Sequence, residues 1–554
     1  MKNRILYIFF VGFLSLLTSC GTSKSKKHTP DLTGLNNTKP VVNKLSDSIF
    51  ITGKNSLVKN KQGLWELYVE GDPLEIGLST GALTDSLLHK QQRIFFSKIT
   101  DLIPSKFQQK LLRQFLKWYN RKLYLNVPDE YQTEIYGVSQ YTSNDFDNIA
   151  PQYQRSLYLH AAHDIGHALQ DLALVGCSSF AAWNEKSEDG NLILARNFDF
   201  YVNDAFAENK IAAFIKPEEG YPFMMVTWPG MIGAVSGMNY EGLTVTINAS
   251  KSKIPLSAKT PISILTREIL QHAKNLDEAV AIAKKRKVFV SESIMVGSTN
   301  DNKAILIEVS PNKMDVYDVP NSDQLICSNH FQGEAFKEDK RNLEQIANSH
   351  SEYRYERMQE LLSENSKVNP EIASEILRNK EGLKDIFLGY GNEKALNQLL
   401  AHHGIIFKPK ERLVWVSANP YQLGEFICYD LNEIFGENRN ATKSFQKENL
   451  NIAKDPFLET VAFQNFKKFK MEDHKIDSIL KKKETVSAEF LQNYQALNPD
   501  YWVVYYKVGL YFYQKKEFLQ AKLNFEKALS HEITTAPQKE EIEKYLKKVK
   551  RKLQ

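Results

Sequence analysis

A chain of 554 residues is too long for one ordinary domain and is expected to hold two to four units. Hydrophobic residues at 42% and aromatic residues at 11% describe a globular protein with a substantial core and exclude a disordered chain. A net charge of +5 over this length gives a nucleic-acid partner no support, and four cysteines are too few for a disulfide framework.

The first element along the chain is a targeting pattern. Lys2 and Arg4 precede an apolar run from Ile5 to Leu17, too short to span a bilayer comfortably. Leu17-Thr18-Ser19-Cys20 resembles a bacterial lipobox, which implies removal of residues 1–19 and lipidation of Cys20. The expected location is the bacterial cell envelope, outside the cytoplasm, with the lipid anchor as the membrane contact. Residues 20–60 are polar and include Pro30 and Pro40, so they read as a flexible tether.

Ordered sequence is expected from about residue 61. L-W-E-L-Y-V alternates like a strand, and Gly71-Asp72-Pro73 turns into a helix whose Gly77 and Gly81 suit close packing. From Leu83 to Asp171 the pattern is mainly helical, with breaks at Val127-Pro128 and between Thr142 and Asp147. His160, His163 and His167 share a helical face beside Asp164, a spacing that could ligate a metal. The stretch has no H-E-x-x-H, and packing of that helix is the favoured reading, so no metal is expected.

After Gly176 short β-type runs dominate, separated by turns such as Asp189-Gly190 and Glu241-Gly242. One helical stretch is expected from Ile262 to Lys284, and strands then resume. Runs of strands, then a helix, then strands predict an α+β layered fold with mostly antiparallel sheets. Cys327 and Cys428 read as buried strand residues, and His402-His403 as structural. From about Asp455 the chain is helical again. Tyr505, Val508, Gly509 and Phe512 against Ala521, Phe525 and Ala528 have tetratricopeptide-like spacing. One such unit cannot bury its own apolar face, so it is expected to stack on the flanking segments Ile476–Leu497 and Ile542–Leu553. This tail is a candidate surface for a protein partner.

The chemistry concentrates at V-G-C-S-S-F, residues 175–180. Were the Gly176–Cys177 bond cut, Cys177 would carry both a thiol and an α-amine whose pKa of about 7.7–8.0 suits a general base. Glycine at position 176 would permit an unusual backbone geometry for attack on its own carbonyl. Arg196 and Asp199, on the second strand of the presumed hairpin, can reach this residue, and a guanidinium near sulfur favours the thiolate.

G-C-S-S-F-A-A-W followed by G-N-L-I-L-A-R-N-F-D-F resembles the N-terminal-nucleophile hydrolases, specifically the acyl-coenzyme A:6-aminopenicillanic acid acyltransferase branch, peptidase family C45, which is related to the choloylglycine hydrolases. G-D-P-L-E-I-G at 71–77, G-M-N-Y-E-G-L at 237–243, S-N-H-F at 328–331 and S-E-Y-R-Y-E-R at 351–357 match that family in order. The resemblance covers roughly residues 64–431. It implies an αββα sandwich over residues 177–440 and a helical pro-segment over 61–176, while the helical tail over 455–554 rests on its own spacing. It further implies self-cleavage between Gly176 and Cys177, with Cys177 as nucleophile and Arg196 and Asp199 beside it. Asn248 would help form the oxyanion hole, Asn329 would hold the amine or substrate, and Arg354 would complete the polar ring. Which of Arg354 and Arg357 reaches the site stays open. The implied activity is hydrolysis of a linear or cyclic small-molecule amide without a cofactor; acyl transfer to an amine and a non-catalytic scaffold are the alternatives.

Overall fold

A computed structural model describes residues 20–161, 164, 176–200, 203–251, 257–400 and 402–554. The signal-like segment 1–19, His163 and His167 lie outside the described residues. Four strands precede Cys177: β1 (Asn43–Ser46), β2 (Ile49–Thr52), β3 (Asn55–Lys59) and β4 (Trp65–Gly71). Beyond it come β5 (Ser178–Ala182), β6 (Ile193–Phe198), β7 (Ile211–Pro217), β8 (Phe223–Thr227), β9 (Ser236–Asn239), β10 (Leu243–Ala249), β11 (Glu292–Ser298), β12 (Lys303–Val309) and β13 (Met314–Tyr317). The last four are β14 (Gln324–Cys327), β15 (His403–Lys408), β16 (Leu413–Ser417) and β17 (Phe426–Asp430).

They form two sheets. The larger has eleven strands in the order β1-β2-β3-β4-β7-β8-β9-β10-β11-β12-β13, and the smaller has six in the order β14-β5-β6-β15-β16-β17. Pairing is antiparallel except for β4 with β7, which run parallel from Trp65↔Ile211 to Gly71↔Pro217. That one pairing stitches the segment before Cys177 into the sheet built after it.

Period-two alternation sets the layers. In β5, Ala181 packs in a cluster drawn from both sheets, with Leu194, Phe214, Met224, Leu306 and Phe407. Its neighbours Phe180 and Ala182 point the other way, onto Met358, Leu362, Ile376 and Leu377 of the helices Ser351–Glu364 and Pro370–Arg378. The opposite face of the larger sheet buries Leu67, Val69, Val245 and Ile294 against helical residues Ile76, Ile135, Ile264 and Leu265. The clusters therefore place helices outside and the two sheets face to face, the layering the resemblance implied.

Two expectations need correction. Residues 20–60 are not a plain flexible stretch. Cys20–Lys27 is a helix, and Ile49-Phe50-Ile51 and Leu57-Val58 supply the apolar alternation for strands that extend the larger sheet. Gln154 Nε2 donates to the carbonyl of His28 at 2.6 Å, and the His28 ring nitrogen Nε2 meets Gln132 Oε1 at 2.7 Å, so the start of this segment rests on the body. The helical stretch after β10 is two helices, Ile262–His272 and Leu276–Lys285, because Asn275 caps the second by accepting from Glu278 N.

Gly77 of the helix Pro73–Leu83 does sit where backbone approaches: a Cβ there would lie 2.2 Å from the carbonyl oxygen of Glu134. Gly81 meets the Tyr141 ring instead. His160 meets Ser156 O through Nδ1 at 2.8 Å and accepts the Ile232 N–H at Nε2, and burial pushes it down to about 4. Asp164 accepts the Ile262 N–H at 2.8 Å. Both described members of that polar stretch thus tie the pre-Cys177 helices to the sheet-forming body, and no metal-sized cluster of ligands occurs among the described residues. No described helix is long and apolar enough to cross a membrane.

The tail comprises the helices Val461–Lys482, Ala488–Leu497, Trp502–Gln514, Phe518–Leu529 and Ala536–Leu553. Ile476, Leu491, Val508, Phe525 and Ile542 share one cluster, which is the stacking expected of a unit too small to bury its own face. Gly509 lets the third helix approach the fourth: a Cβ there would be 2.7 Å from the Phe525 ring.

Candidate active site

The alternation that builds the layers also aims the polar residues. Register pairs Ser178 with Asn197 and Ser179 with Arg196. Arg196 therefore shares the inter-sheet side with Cys177 and Ser179, while Ser178 and Asn197 face the helical layer.

Cys177 is fully buried, and its Sγ accepts from Arg196 Nη2 at 3.4 Å. The same guanidinium reaches the larger sheet through Nη1 to the carbonyl of Val235 at 2.9 Å and through Nη2 to the carbonyl of Ile247. Its Nη1 also donates to Ser236 Oγ, and His403 Nε2 meets that hydroxyl at 2.9 Å. Burial raises the Cys177 thiol above its ordinary value and outweighs the lowering by Arg196. In the uncut chain the sulfur therefore rests as a thiol, not as the thiolate that proximity to arginine suggested.

Asp199 follows the end of β6 and is buried. Its backbone carbonyl accepts the Gly176 N–H at 3.4 Å, Oδ1 accepts from Gln422 Nε2 at 3.3 Å, and Oδ2 has no partner. Burial pushes the carboxyl up to about 7, against lowering by Arg354, Gln422 and Arg196. Against a value near 3.9 in an unfolded chain, the fold retains this proton through a window the unfolded chain has already left. Its contribution to stability is complete below about 4 and is lost as pH rises through about 7. In the Cys177→Ala chain, held uncut, the melting temperature should fall between pH 5 and pH 8. Asp199→Asn should flatten that slope; Asp164 and Glu308, raised by burial to about 8 and about 7, should retain the rest. A slope unchanged in Asp199→Asn would contradict the assignment.

Arg354 settles the choice left open between the two arginines. Its Nη1 donates to the Cys177 carbonyl at 2.6 Å and to Ser178 Oγ at 2.7 Å, Nη2 to Asn329 Oδ1 at 2.6 Å, and Nε to His350 Nδ1 at 3.1 Å. Burial lowers it only to about 10, so it stays charged at neutral pH. Arg357 points elsewhere, to Glu360, Asp385 and Asn379. Asn329 is a strut: its Nδ2 donates to the carbonyl of Ala249 at 2.8 Å while its oxygen holds Arg354.

Asn248 does not face the reacting bond. Its Nδ2 donates to the carbonyls of Cys327 and Ser328, both at 3.1 Å, and its oxygen accepts from Ser179 Oγ at 2.8 Å. In the uncut chain the amide thus braces β10 against the end of β14. The carbonyl of Gly176 instead receives Gln398 Nε2 at 2.9 Å. A Cβ at position 176 would come within 2.2 Å of that nitrogen. A side chain here would displace the Gln398 amide from the carbonyl, and the backbone is not left-handed.

Gln398 and Gln422 were missed from sequence. Gln422 carries no local signal. Gln398 carries a weak one, since Asn397-Gln398 interrupts the apolar run Ala395-Leu396 to Leu399-Leu400. Beside the site, a cleft is lined by Leu88, Phe95 and Leu159 from the segment before Cys177 and by Phe200, Phe206 and Trp228 from the body.

Residues 183–420 match the model of the acyl-coenzyme A:6-aminopenicillanic acid acyl-transferase family. The match starts just after β5, so Cys177 itself lies outside it. Among curated proteins, an uncharacterized protein of Archaeoglobus fulgidus is 26% identical over 275 residues, 46% of this chain and 45% of that protein. Protein dcd1B of Dictyostelium discoideum is 24% identical over 299 residues, 50% of this chain and 57% of the relative. The N-acylethanolamine-hydrolyzing acid amidase of Caenorhabditis elegans is 23% identical over 211 residues, 36% of this chain and 57% of the relative. This chain spans about half the length of the curated relatives it matches. Among solved structures, the Caenorhabditis elegans ortholog of that amidase aligns with a TM-score of 0.32 and 18% identity, covering 42% of this chain and 93% of its own. A mutant conjugated bile acid hydrolase from Clostridium perfringens aligns with a TM-score of 0.32 and 13% identity, covering 49% of this chain and 95% of its own.

Proposed function

We propose that this chain is an N-terminal-nucleophile amidohydrolase. It cuts its own Gly176–Cys177 bond and then cleaves a C–N amide bond through an acyl-enzyme on Cys177. The observation that carries this reading is convergence on one junction. Arg196 donates to the sulfur, Arg354 to the carbonyl of the same residue, and the Asp199 carbonyl accepts from the glycine N–H before it. The match of residues 183–420 to an acyl-transferase family model supports the same class of chemistry.

After the cut, the α-amine of Cys177 replaces a peptide nitrogen, and its ordinary pKa of about 7.7–8.0 makes it the base beside the thiol. It takes the thiol proton as sulfur attacks the substrate carbonyl and returns it to the departing amine. Water then hydrolyses the thioester. Arg354 fixes the first residue of β5, so the nucleophile is mounted on a rigid strand, and Arg196 stabilises developing negative charge on sulfur. The cleft lined by Phe95, Phe200, Phe206 and Trp228 supports a small-molecule amide with an apolar portion. Lipidation at Cys20 in the bacterial envelope belongs to the same proposal. It favours hydrolysis over transfer from coenzyme A thioesters, whose pool is cytoplasmic.

Two measurements test the reading. A denaturing gel of the expressed chain should show two fragments, with the C-terminal one beginning at Cys177 by N-terminal sequencing. Incubated with a panel of N-acyl amides, that material should release free acid, and added amine acceptors should not divert most of the product. Acyl-amide products in excess of free acid would replace hydrolysis by transfer; an uncut, inactive chain would remove the enzyme reading.

A further inference from the structure

The scissile carbonyl has one side-chain donor among the described residues, and the loop that carries it is bonded to the tail. Gln398 is 2% exposed, and its Nε2 lies 2.9 Å from the Gly176 oxygen. It sits in the irregular stretch 389–400, whose hydrogen bonds run in two directions. Toward the body, Asn197 Nδ2 donates to the carbonyl of Leu396 at 3.0 Å, Asn397 N donates to the carbonyl of Asn379 at 2.8 Å, and Asn397 Nδ2 to that of Tyr421 at 3.0 Å. Asn197 stands next to Arg196 on β6, so one strand supplies both the sulfur's partner and an anchor for the Gln398 loop.

Toward the tail the grip is reciprocal. Tyr390 N donates to Asn498 Oδ1 at 3.1 Å, and Asn498 Nδ2 returns a bond to the Tyr390 carbonyl at 2.8 Å. Asn392 donates to the Glu532 carbonyl at 2.9 Å and accepts from Thr534 Oγ1 at 3.0 Å. Gly389, at φ +75°, lies so close that a Cβ would be 2.4 Å from Tyr501 N. Leu399, the residue after Gln398, is buried in the tail's own apolar cluster.

Resting on the self-cleavage reading above, we propose that Gln398 is the catalytic oxyanion donor of that cleavage and that the C-terminal helices act as a clamp positioning it. Asp199 as carboxylate takes the Cys177 thiol proton, and sulfur attacks the Gly176 carbonyl carbon. The Gly176 oxygen becomes negative against Gln398 Nε2–H, where a donor already in place costs no reorganisation. Asp199 gives the proton to the Cys177 nitrogen as the C–N bond breaks, leaving a Gly176 thioester on Cys177 Sγ. Water hydrolyses the thioester to the Gly176 carboxylate, the free thiol and the α-amine. The tail is thereby part of the site's architecture and not an appended arm.

The test is the rate of conversion of newly made full-length chain to two fragments, followed by pulse-chase on denaturing gels. Gln398→Met keeps length and removes the donor; Gln398→Glu keeps shape and presents acceptors. Both should slow conversion by roughly 10²–10³-fold, the scale for loss of one oxyanion donor. Their melting temperatures should stay within a few degrees of the uncut Cys177→Ala chain. Conversion at the wild-type rate in either variant overturns the assignment of Gln398. If the wild-type chain itself never converts, the self-cleavage reading falls before this one. For the clamp, Asn498→Ala should slow conversion severalfold, yet slow the Gln398→Met chain no further, because it acts through Gln398. Equal slowing in both backgrounds would show a general loss of stability and overturn the clamp.

Discussion

Replacing Cys177 with alanine is expected to leave the chain in one piece and without turnover. Loss of a nucleophile acts on the order of 10⁴–10⁶-fold in comparable covalent mechanisms, so neither fragment nor free acid should be detectable. The change deletes one buried sulfur whose described hydrogen-bond partner, Arg196, keeps three other acceptors at Val235, Ser236 and Ile247. Stability should therefore change little, and thermal melting of the variant against the wild-type chain checks this. Cys177→Ser separates the two steps. A hydroxyl is a weaker nucleophile than a thiol at the same position, so slow residual cutting with lower turnover is expected. Full activity in Cys177→Ala would end the covalent mechanism.

Arg354→Met is expected to have the largest combined effect on stability and chemistry. Its guanidinium serves the Cys177 carbonyl, Ser178 Oγ, Asn329 Oδ1 and His350 Nδ1, all within the buried site. Methionine fills similar space and supplies none of these donors. Such bonds are not additive, and removing the charged partner of a buried polar cluster costs about 3–5 kcal/mol overall. A melting decrease of about 3–4 °C, the scale for a chain of this length, should follow in calorimetry. The chemical consequence has a definite sign. Arg354 is the largest of the influences that lower Asp199. Without it the carboxyl rises above about 7, and the pH at which self-cleavage reaches half its maximal rate should move upward. Arg354→Lys keeps the charge but not the forked geometry, so it should restore the pH profile more fully than the melting temperature. A pH profile identical in all three chains would remove Asp199 from the proton path.

Much of the architecture was legible because alternation is a local property. The runs S-S-F-A-A, L-I-L-A-R-N-F and I-I-F-K carry their two faces in the order of their side chains, and the structure assigns those faces to the sheet interface and the helical layer. The pairing of two helical faces in the tail was legible from spacing, and the structure adds that Gly509 packs on the Phe525 ring. Residues 43–59 were misread because their polar composition hides short strands, whose formation depends on a free edge at β4. The sequence names the chemistry-bearing types at 177, 196, 199, 329 and 354, and the fold brings them together.

What the sequence could not hold is the direction of an amide or a charge's surroundings. Asn248 and Gln398 are both buried amides, yet only the second meets the Gly176 carbonyl, because loop 389–400 is held by partners far along the chain, such as Asn197 and Asn498. The thiol's elevation is likewise tertiary: Arg196 is written in the chain, while the burial that outweighs it is not. The amino-acid order determined the strand faces, the glycine before the cysteine and the set of polar residues. Only long-range packing decided which donor faces the scissile bond and which groups stay neutral, since desolvation and hydrogen-bond direction are properties of the assembled interior.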